Sequence, residues 1–260
     1  MKVKILGTGT SQGIPVIGCT CRTCTSTNPK DKRLRTSAYI EVDGLKLLID
    51  TSVDFRQQML DNNIIDLDAV LYTHHHVDHI LGLDDLRQIN QRYDKFIDIY
   101  GNKLTIDEIK VTFRYAFDQN PDIEKLVIHQ AVPLINAHYI KNEKFTIKGV
   151  EIIPVEVMHG NLPIFGYRVG GFAYITDASE IPEEEQKKLH GLDVLIINAL
   201  RERPHPSHLN IKQATELAQK LKAKETYFTH MTHDILHDEV NGALPENIGL
   251  GYDGMTFNIN

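Results

Sequence analysis

The chain has 260 residues and a formal net charge of −7, from 28 Lys and Arg against 35 Asp and Glu. This length fits one large domain or two small ones, and the 42% apolar share is enough for a sizeable core. The negative balance argues against a polyanion such as RNA as the main partner, because phosphate contacts need Lys and Arg.

The N-terminus and the cysteines indicate the cellular compartment of the protein. The first apolar stretch is broken by Gly7 and Gly9, too early for a secretory signal, and no apolar run has the length of a membrane span. All three cysteines lie between Cys19 and Cys24, an odd and crowded set that makes a poor disulfide framework. We therefore expect a cytoplasmic protein that has no membrane partner.

The N-terminal half alternates strand and helix patterns. Asp43-Gly44 separates two apolar runs, which is a strong signal for a two-residue hairpin. The predicted strands are Lys2–Leu6, Ser37–Val42, Leu45–Asp50 and Ala69–Thr73, and the predicted helices are Asp54–Asn62 and Leu83–Arg92.

The C-terminal half repeats this rhythm around a second hairpin signal at Gly170-Gly171. Pro182 begins a helix whose first turn is acidic, which suits the helix dipole. Residues 101–149 are less regular, and we predict an insertion there within a single domain, 1–260. The insertion would cover the active site or form the contact of a homodimer. The predicted strands are Glu151–Val157, Phe165–Val169, Phe172–Thr176, Val194–Asn198 and Glu225–Thr229, and a further helix is predicted over Ile211–Leu221. This alternation predicts an α/β fold.

Acidic and histidine residues directly follow predicted buried strands at four places, namely Asp50, His74, Asp177 and His230. A sheet-based fold builds its site where strand ends meet on one edge. We therefore expect these side chains to share a site.

The richest motif is the H-x-H-x-D-H sequence that contains His74, His76, Asp78 and His79. In an extended turn His74 and His76 point to the same side, whereas Asp78 and His79 at the start of a helix can face a second point. Imidazole and carboxylate together suit Zn²⁺ and similar metals, and two neighbouring ions can share a bridging hydroxide. The alternative, a polar loop that makes only hydrogen bonds, fits a lone histidine better than this concentration.

This motif resembles the signature of the metallo-β-lactamase superfamily. The resemblance implies a four-layer αββα sandwich and two active-site metal ions. By the same resemblance Asp177 bridges the two ions, and His75 binds neither. The ligands of one ion would be His74, His76 and His159, and those of the other Asp78, His79 and His230.

Cys19, Cys21 and Cys24 form a second metal-capable motif, C-x-C-x-x-C. Three thiols in six residues can supply three corners of a tetrahedral zinc site, although the fourth ligand is missing locally. The alternative is a disulfide, which would leave one thiol over and is disfavoured in a reducing compartment.

The segment Gly7–Pro15 followed by the cysteines resembles a narrower group, the PhnP-like phosphoribosyl 1,2-cyclic phosphate phosphodiesterases. That resemblance implies that His233, otherwise a solvated loop residue, is the fourth ligand of a structural Zn²⁺. It also implies a histidine that contacts the substrate phosphate ahead of a helix. His208 precedes Ile211–Leu221 and fits this role better than His205, which lies between two prolines.

Together these patterns predict a phosphodiesterase acting on small or cyclic phosphodiesters through a dinuclear metal-bound hydroxide. The active site would hold two divalent ions, Zn²⁺ or Mn²⁺. We expect Asp78 to bind one ion and to orient the nucleophile or accept its proton, and His208 to bind the phosphate or protonate the leaving oxygen. The expected partner is a small phosphodiester substrate rather than a nucleic acid.

Four other functions compete with this prediction. A tRNA 3′-processing nuclease has the same motif but usually adds a basic RNA-binding arm, and thioesterases or lactonases lack the cysteines. A PqqB-like protein of cofactor biosynthesis has similar cysteines but would favour redox iron and often a degraded ligand set. A non-enzymatic zinc-knuckle module would explain Cys19–Cys24 but not the other ligands.

Overall fold

The computed structural model describes residues 1–117 and 132–259, and the strands in these ranges form two mixed sheets. The first sheet contains β1 (Lys2–Gly7), β2 (Ser37–Val42), β3 (Leu45–Ile49), β4 (Ala69–Leu71), β5 (Ile97–Gly101), β6 (Ile135–Tyr139) and β14 (Thr256–Asn258). Its order is β14-β1-β2-β3-β4-β5-β6. Neighbours from β3 to β6 are parallel, and the pairs from β14 to β3 are antiparallel.

The second sheet contains β7 (Phe145–Ile147), β8 (Val150–His159), β9 (Leu162–Val169), β10 (Phe172–Ile175), β11 (Val194–Asn198), β12 (Glu225–Thr229) and β13 (Ile248–Leu250). Its order is β13-β12-β11-β10-β9-β8-β7. Neighbours from β10 to β13 are parallel and those from β7 to β10 are antiparallel, so each sheet has one parallel half.

The helices that cover the outer faces of the sheets are short. The described α-helices are Arg22–Thr25, Phe55–Asp61, Val77–Ile80, Leu86–Tyr93, Lys103–Thr112, Arg114–Phe117, Glu183–Gln186, Ile211–Leu221 and His237–Asn241. Single 3₁₀ turns occur at Pro29–Asp31, Leu81–Asp85 and Lys187–Leu189. The helix Ile211–Leu221 begins with a complete capping box between Asn210 and Gln213.

Burial on both faces explains the sequence of β11. Val194 and Ile196 pack in the core between the two sheets, whereas Leu195 and Ile197 pack in the core under Ile211–Leu221. A strand covered on both faces reads as a continuous apolar run. A third core lies between the first sheet and its helices, so the predicted four-layer αββα sandwich is confirmed.

Both predicted hairpins are present. Asp43 and Gly44 both have positive φ, 49° and 79°, which is the geometry that a tight hairpin turn requires. Residues 101–149 are more regular than their sequence indicates, because they include the helix Lys103–Thr112 and supply edge strands to both sheets. Their central residues, 118–131, lie outside the described ranges, and the insertion stays a prediction.

Within residues 1–117 and 132–259, no helix has the length and apolar character needed to cross a membrane.

Candidate metal centre

Three polar residues that follow strands share an unusual backbone conformation. Asp50 and His230 come directly after β3 and β12, and Asp177 follows β10 after one residue; their φ angles are 60°, 56° and 58°. The left-handed region is costly for residues other than glycine and is often kept where a site needs it. These three turns bring side chains from both sheets into one buried cluster.

The first group of metal-capable atoms belongs to three histidines. His74 and His76, from the turn after β4, have Nε2 and Nδ1 atoms 3.0 Å apart. His159, at the end of β8, lies with its ring centroid 5.4 Å from that of His74 and 5.1 Å from that of His76. One ligand atom from each of the three lies within 4.8 Å of the others.

The second group contains Asp78, His79 and His230. Nε2 of His79 lies 3.4 Å from Oδ2 of Asp78 and 3.4 Å from Oδ2 of Asp177. The other oxygen of Asp177 lies 3.1 Å from Nε2 of His230. Asp177 is also within 4.8 Å of ligand atoms of His74 and His159, so it stands between the two groups.

The donor atoms of this centre fit divalent ions. Nε2 of His79, Nδ1 of His208 and both ring nitrogens of His230 are buried without a hydrogen-bond partner. Buried polar atoms are normally satisfied, so several orphaned nitrogens beside two carboxylates indicate a missing partner. Imidazole and carboxylate ligands suit Zn²⁺ and Mn²⁺, so the residues present fit the predicted ions.

Hydrogen bonds behind the histidines fix the direction of their rings. His79 Nδ1 lies 2.7 Å from Oδ2 of Asp50, which leaves Nε2 facing the centre. Thr73 holds Asp50 through its backbone N–H and its hydroxyl, both at 2.8 Å, and His159 Nδ1 donates to the carbonyl of Ser207. Such contacts orient metal-binding imidazoles. Asp50 is recognisable in the sequence as an acid at a strand end, but its contact with His79 follows from the structure alone.

Charges inside the cluster compensate one another. Burial alone would lower the pKa of His79, but Asp177, Asp78 and Asp50 outweigh it and raise that pKa well above its usual value. Burial would raise the pKa of Asp177, but His230, His79 and His74 hold it below its usual range. Burial would likewise raise the pKa of Asp78, but His79 and His230 hold it below its usual range. Both carboxylates are therefore anionic, as ligands of a divalent ion must be.

His208 lies beside the centre on the loop that precedes Ile211–Leu221. Its ring stacks on that of His230 at 4.8 Å, and its Nδ1 is 3.8 Å from Oδ1 of Asp177. Burial, followed by the charge of His230, lowers its pKa to about 3. His208 is thus neutral in this arrangement. A neutral imidazole suits the role of a hydrogen-bond donor better than that of a general acid.

The cysteines converge on one histidine from the other end of the chain. The Sγ atoms of Cys19, Cys21 and Cys24 lie 3.2, 3.5 and 3.6 Å from Nδ1 of His233, and all three thiols are free. The backbone N–H of Cys24 is the main cause that lowers the pKa of Cys21 to about 6, whereas burial raises that of Cys24 to about 11. These four atoms can supply a closed tetrahedral site.

All predicted ligands therefore fall into two clusters, the centre around Asp177 and the group around His233. His75, which was assigned no metal, belongs to neither cluster. His205 lies next to His208, with its ring centroid 5.0 Å from that of His208.

Comparison with known proteins gives one family match and several full-length likenesses. A family model described as a β-lactamase superfamily domain matches residues 46–231. A solved structure described as a new diphosphatase from the PhnP family is 41% identical, with a TM-score of 0.91, covering 100% of this chain and 98% of that one. Zn²⁺-bound PqqB from Methylobacterium extorquens and human tRNase Z, short form, share only the fold, at 19% identity each and TM-scores of 0.76 and 0.68.

A protein of Porphyromonas gingivalis named octanoyltransferase is 40% identical over 259 residues. That match covers 98% of this chain but 51% of the relative. A coenzyme PQQ synthesis protein B of Methylobacterium radiotolerans is 34% identical over 123 residues, covering 42% of this chain and 40% of the relative. The chain thus spans about half the length of the first of these relatives, and the sequence match to the second covers less than half of it.

Proposed function

Because the chain belongs to the metallo-β-lactamase superfamily and, within it, to the PhnP family, we propose that it is a metal-dependent phosphodiesterase that acts on small or cyclic phosphodiesters. The position of Asp177 carries the proposal. Its carboxylate lies within 4.8 Å of ligand atoms of His74 and His159 from the first group, and 3.4 and 3.1 Å from Nε2 of His79 and His230 from the second. One carboxylate could therefore contact both metal ions.

The proposed ligands of the two ions are those of the two groups, with Asp177 common to both, and the ions are Zn²⁺ or Mn²⁺. Such ions, when bound, lower the pKa of a water molecule and neutralise charge that develops on a phosphoryl group. We propose that Asp78, whose Oδ2 lies 3.4 Å from His79 Nε2, would bind one ion and orient the attacking water or accept its proton.

His208 is the residue we propose to contact the phosphoryl group. It is neutral, nearly buried, and its Nδ1 has no partner, so it can donate a hydrogen bond to a phosphoryl oxygen. Transfer of a proton from His208 to the leaving oxygen would require the charge of the substrate to raise its pKa.

The name octanoyltransferase suggests acyl transfer as a second function, but the site supports it less. Within the described residues, the groups that converge around Asp177 are imidazoles and carboxylates. The thiols, which could carry an acyl group, face His233 instead. We therefore propose that octanoyl transfer belongs to the part of that relative which this chain does not span.

The test is one set of assays on metal-loaded protein. Bis(p-nitrophenyl) phosphate, p-nitrophenyl phosphate and an octanoyl thioester are compared by kcat/KM, with chelator-treated protein as the control. We expect the diester to be the best substrate, the monoester to be slow, and chelation to abolish turnover. Faster cleavage of the thioester than of any phosphodiester would overturn the proposed substrate class.

A further inference from the structure

Asn198, the last residue of β11, is completely buried, and its side-chain amide binds the backbone of one neighbouring residue. Its Oδ1 accepts from the N–H of Ala178 at 2.8 Å, and its Nδ2 donates to the carbonyl of Ala178 at 2.9 Å. Two hydrogen bonds from one amide, which offers a donor beside an acceptor, fix both the position and the direction of the bound residue. Because Asp177 directly precedes Ala178, Asn198 supports the turn that carries the carboxylate common to both groups.

The carbonyl of Ala178 accepts a second hydrogen bond, from the loop that carries His208. The donor is the N–H of Leu209, at 2.7 Å, and Leu209 directly follows His208. This loop is closed at its base, because the N–H of Leu200 donates to the carbonyl of Leu209 at 2.9 Å. Asn198 and Leu209 therefore share one acceptor, and the position of His208 depends on where Asn198 holds Ala178.

The ring of His208 depends on this backbone support. Its Nδ1 is buried and, within the described part of the chain, has no hydrogen-bond partner. The ring stacks on that of His230 at 4.8 Å, and Nδ1 lies 3.8 Å from Oδ1 of Asp177, which is too long for a hydrogen bond. The backbone bond at Leu209, rather than a bond at Nδ1, therefore sets the place of His208 beside Asp177.

We propose that Asn198 is a positioning residue, which holds His208 in place beside Asp177 and contacts neither the substrate nor a metal ion. This inference rests on the proposed contact of His208 with the phosphoryl group and adds a residue on which that contact depends. Both polar atoms of the Asn198 side chain are bonded to Ala178, so they act through the backbone. A displacement of about 1 Å in a reacting group can cost about 10²-fold in rate, because the contact needs a correct distance and direction.

Asn90, on the helix Leu86–Tyr93, supplies a matched control. It is also completely buried and binds Leu134 in the same way, with Oδ1 accepting from the N–H and Nδ2 donating to the carbonyl, both at 3.0 Å. Asn90 donates in addition to the carbonyl of Lys95 at 2.8 Å. Replacement by leucine keeps the branched shape of either side chain and removes its hydrogen bonds. Asn90→Leu should therefore cost the fold at least as much as Asn198→Leu, without reaching His208.

A double-mutant cycle with His208→Ala tests whether Asn198 acts through His208. Rates on bis(p-nitrophenyl) phosphate are measured for the metal-loaded parent, both single variants and the double variant. We expect Asn198→Leu to lower kcat by about tenfold or more in the parent, but by less than about twofold when His208 is already absent. Asn90→Leu should keep the parental kcat. Asn198→Asp, which keeps at least the acceptor for the N–H of Ala178, should recover part of the loss.

Two measurements make the test independent of turnover. Elemental analysis should find the parental metal content in Asn198→Leu. Calorimetric affinity for inorganic phosphate should fall about tenfold in both Asn198→Leu and His208→Ala and stay at the parental value in Asn90→Leu.

A parental kcat in Asn198→Leu, equal losses in both backgrounds of the cycle, or loss of metal would each overturn this inference and leave the proposed function standing. If the parent cleaves no phosphodiester, the proposed function itself fails, and this inference fails with it. If melting curves show that Asn198→Leu does not fold, Asn198→Asp takes its place in the same cycle.

Discussion

Oδ2 of Asp50 lies 2.7 Å from Nδ1 of His79, in a pair that is completely buried. Thr73 donates two further hydrogen bonds to this carboxylate, both at 2.8 Å. The side-chain contacts of Asp50 are with Thr73 and His79, so we expect Asp50 to act by positioning His79 rather than by contacting the substrate. Its effect should therefore appear first in metal affinity.

Asp50→Asn should weaken active-site metal binding by about 10- to 100-fold, because Asp50 accepts hydrogen bonds at both oxygens and an amide has only one accepting oxygen. Chelator-competition titration measures the change. Asp68→Asn is the matched control, since Asp68 accepts from the N–H of Lys46 and pairs with Lys148 away from the site. Equal affinities in the parent and Asp50→Asn would show that His79 needs no support.

His76→Ala should remove metal from the centre and nearly all turnover, because it deletes one ligand of the first group. His75→Ala should do neither, since His75 lies in no cluster. Elemental analysis beside steady-state rates makes the comparison. We expect three ions per chain in the parent, and one or fewer in fully folded parent protein would contradict the ligand assignment.

His208→Ala should keep its metal and lose at least ~10²-fold in rate, the usual scale for a lost acid–base or substrate-contacting group. The reason is its place beside Asp177 and His230, with a ring nitrogen that has no partner. Rates and metal content are measured on the same preparation. Loss of metal would make His208 a ligand, and an unchanged rate would transfer its role to another residue.

Cys21→Ser should lower the melting temperature more than the activity per folded molecule. The group around His233 joins residues 214 positions apart, and a closed thiolate site has no open position for chemistry. His230→Ala should show the opposite pattern, because His230 belongs to the active-site cluster. Paired melting curves and turnover numbers test both variants, and a parental melting curve for Cys21→Ser would count against a structural zinc.

Asp253 should make stability depend on pH. Burial raises its pKa to about 7, against hydrogen bonds from Leu34 and Thr8 that lower it. The folded state therefore holds a proton that the unfolded chain releases near pH 4, so this stabilisation is complete at low pH and is lost as pH rises toward about 7. Asp253→Asn should show a flatter dependence of melting temperature on pH between 4 and 7. A parallel dependence in the two proteins would mean that Asp253 is ionised in the fold.

The sequence by itself determined the α/β class, both hairpins and the residue types of both clusters. These depend on short-range rules, because side-chain alternation and the turn chemistry of Asp43-Gly44 act within a few residues. The roles of the individual ligands stay predictions, although the structure brings each of them to the cluster where it was expected.

Only the tertiary structure decided which groups meet. The short edge strands β6, β7, β13 and β14 carry little periodicity, since they gain stability from a neighbour rather than from their own pattern. The part that Asp50 plays behind His79 depends on residues brought together from separate elements. Such contacts follow from the packing of two sheets against each other, which no local sequence pattern records.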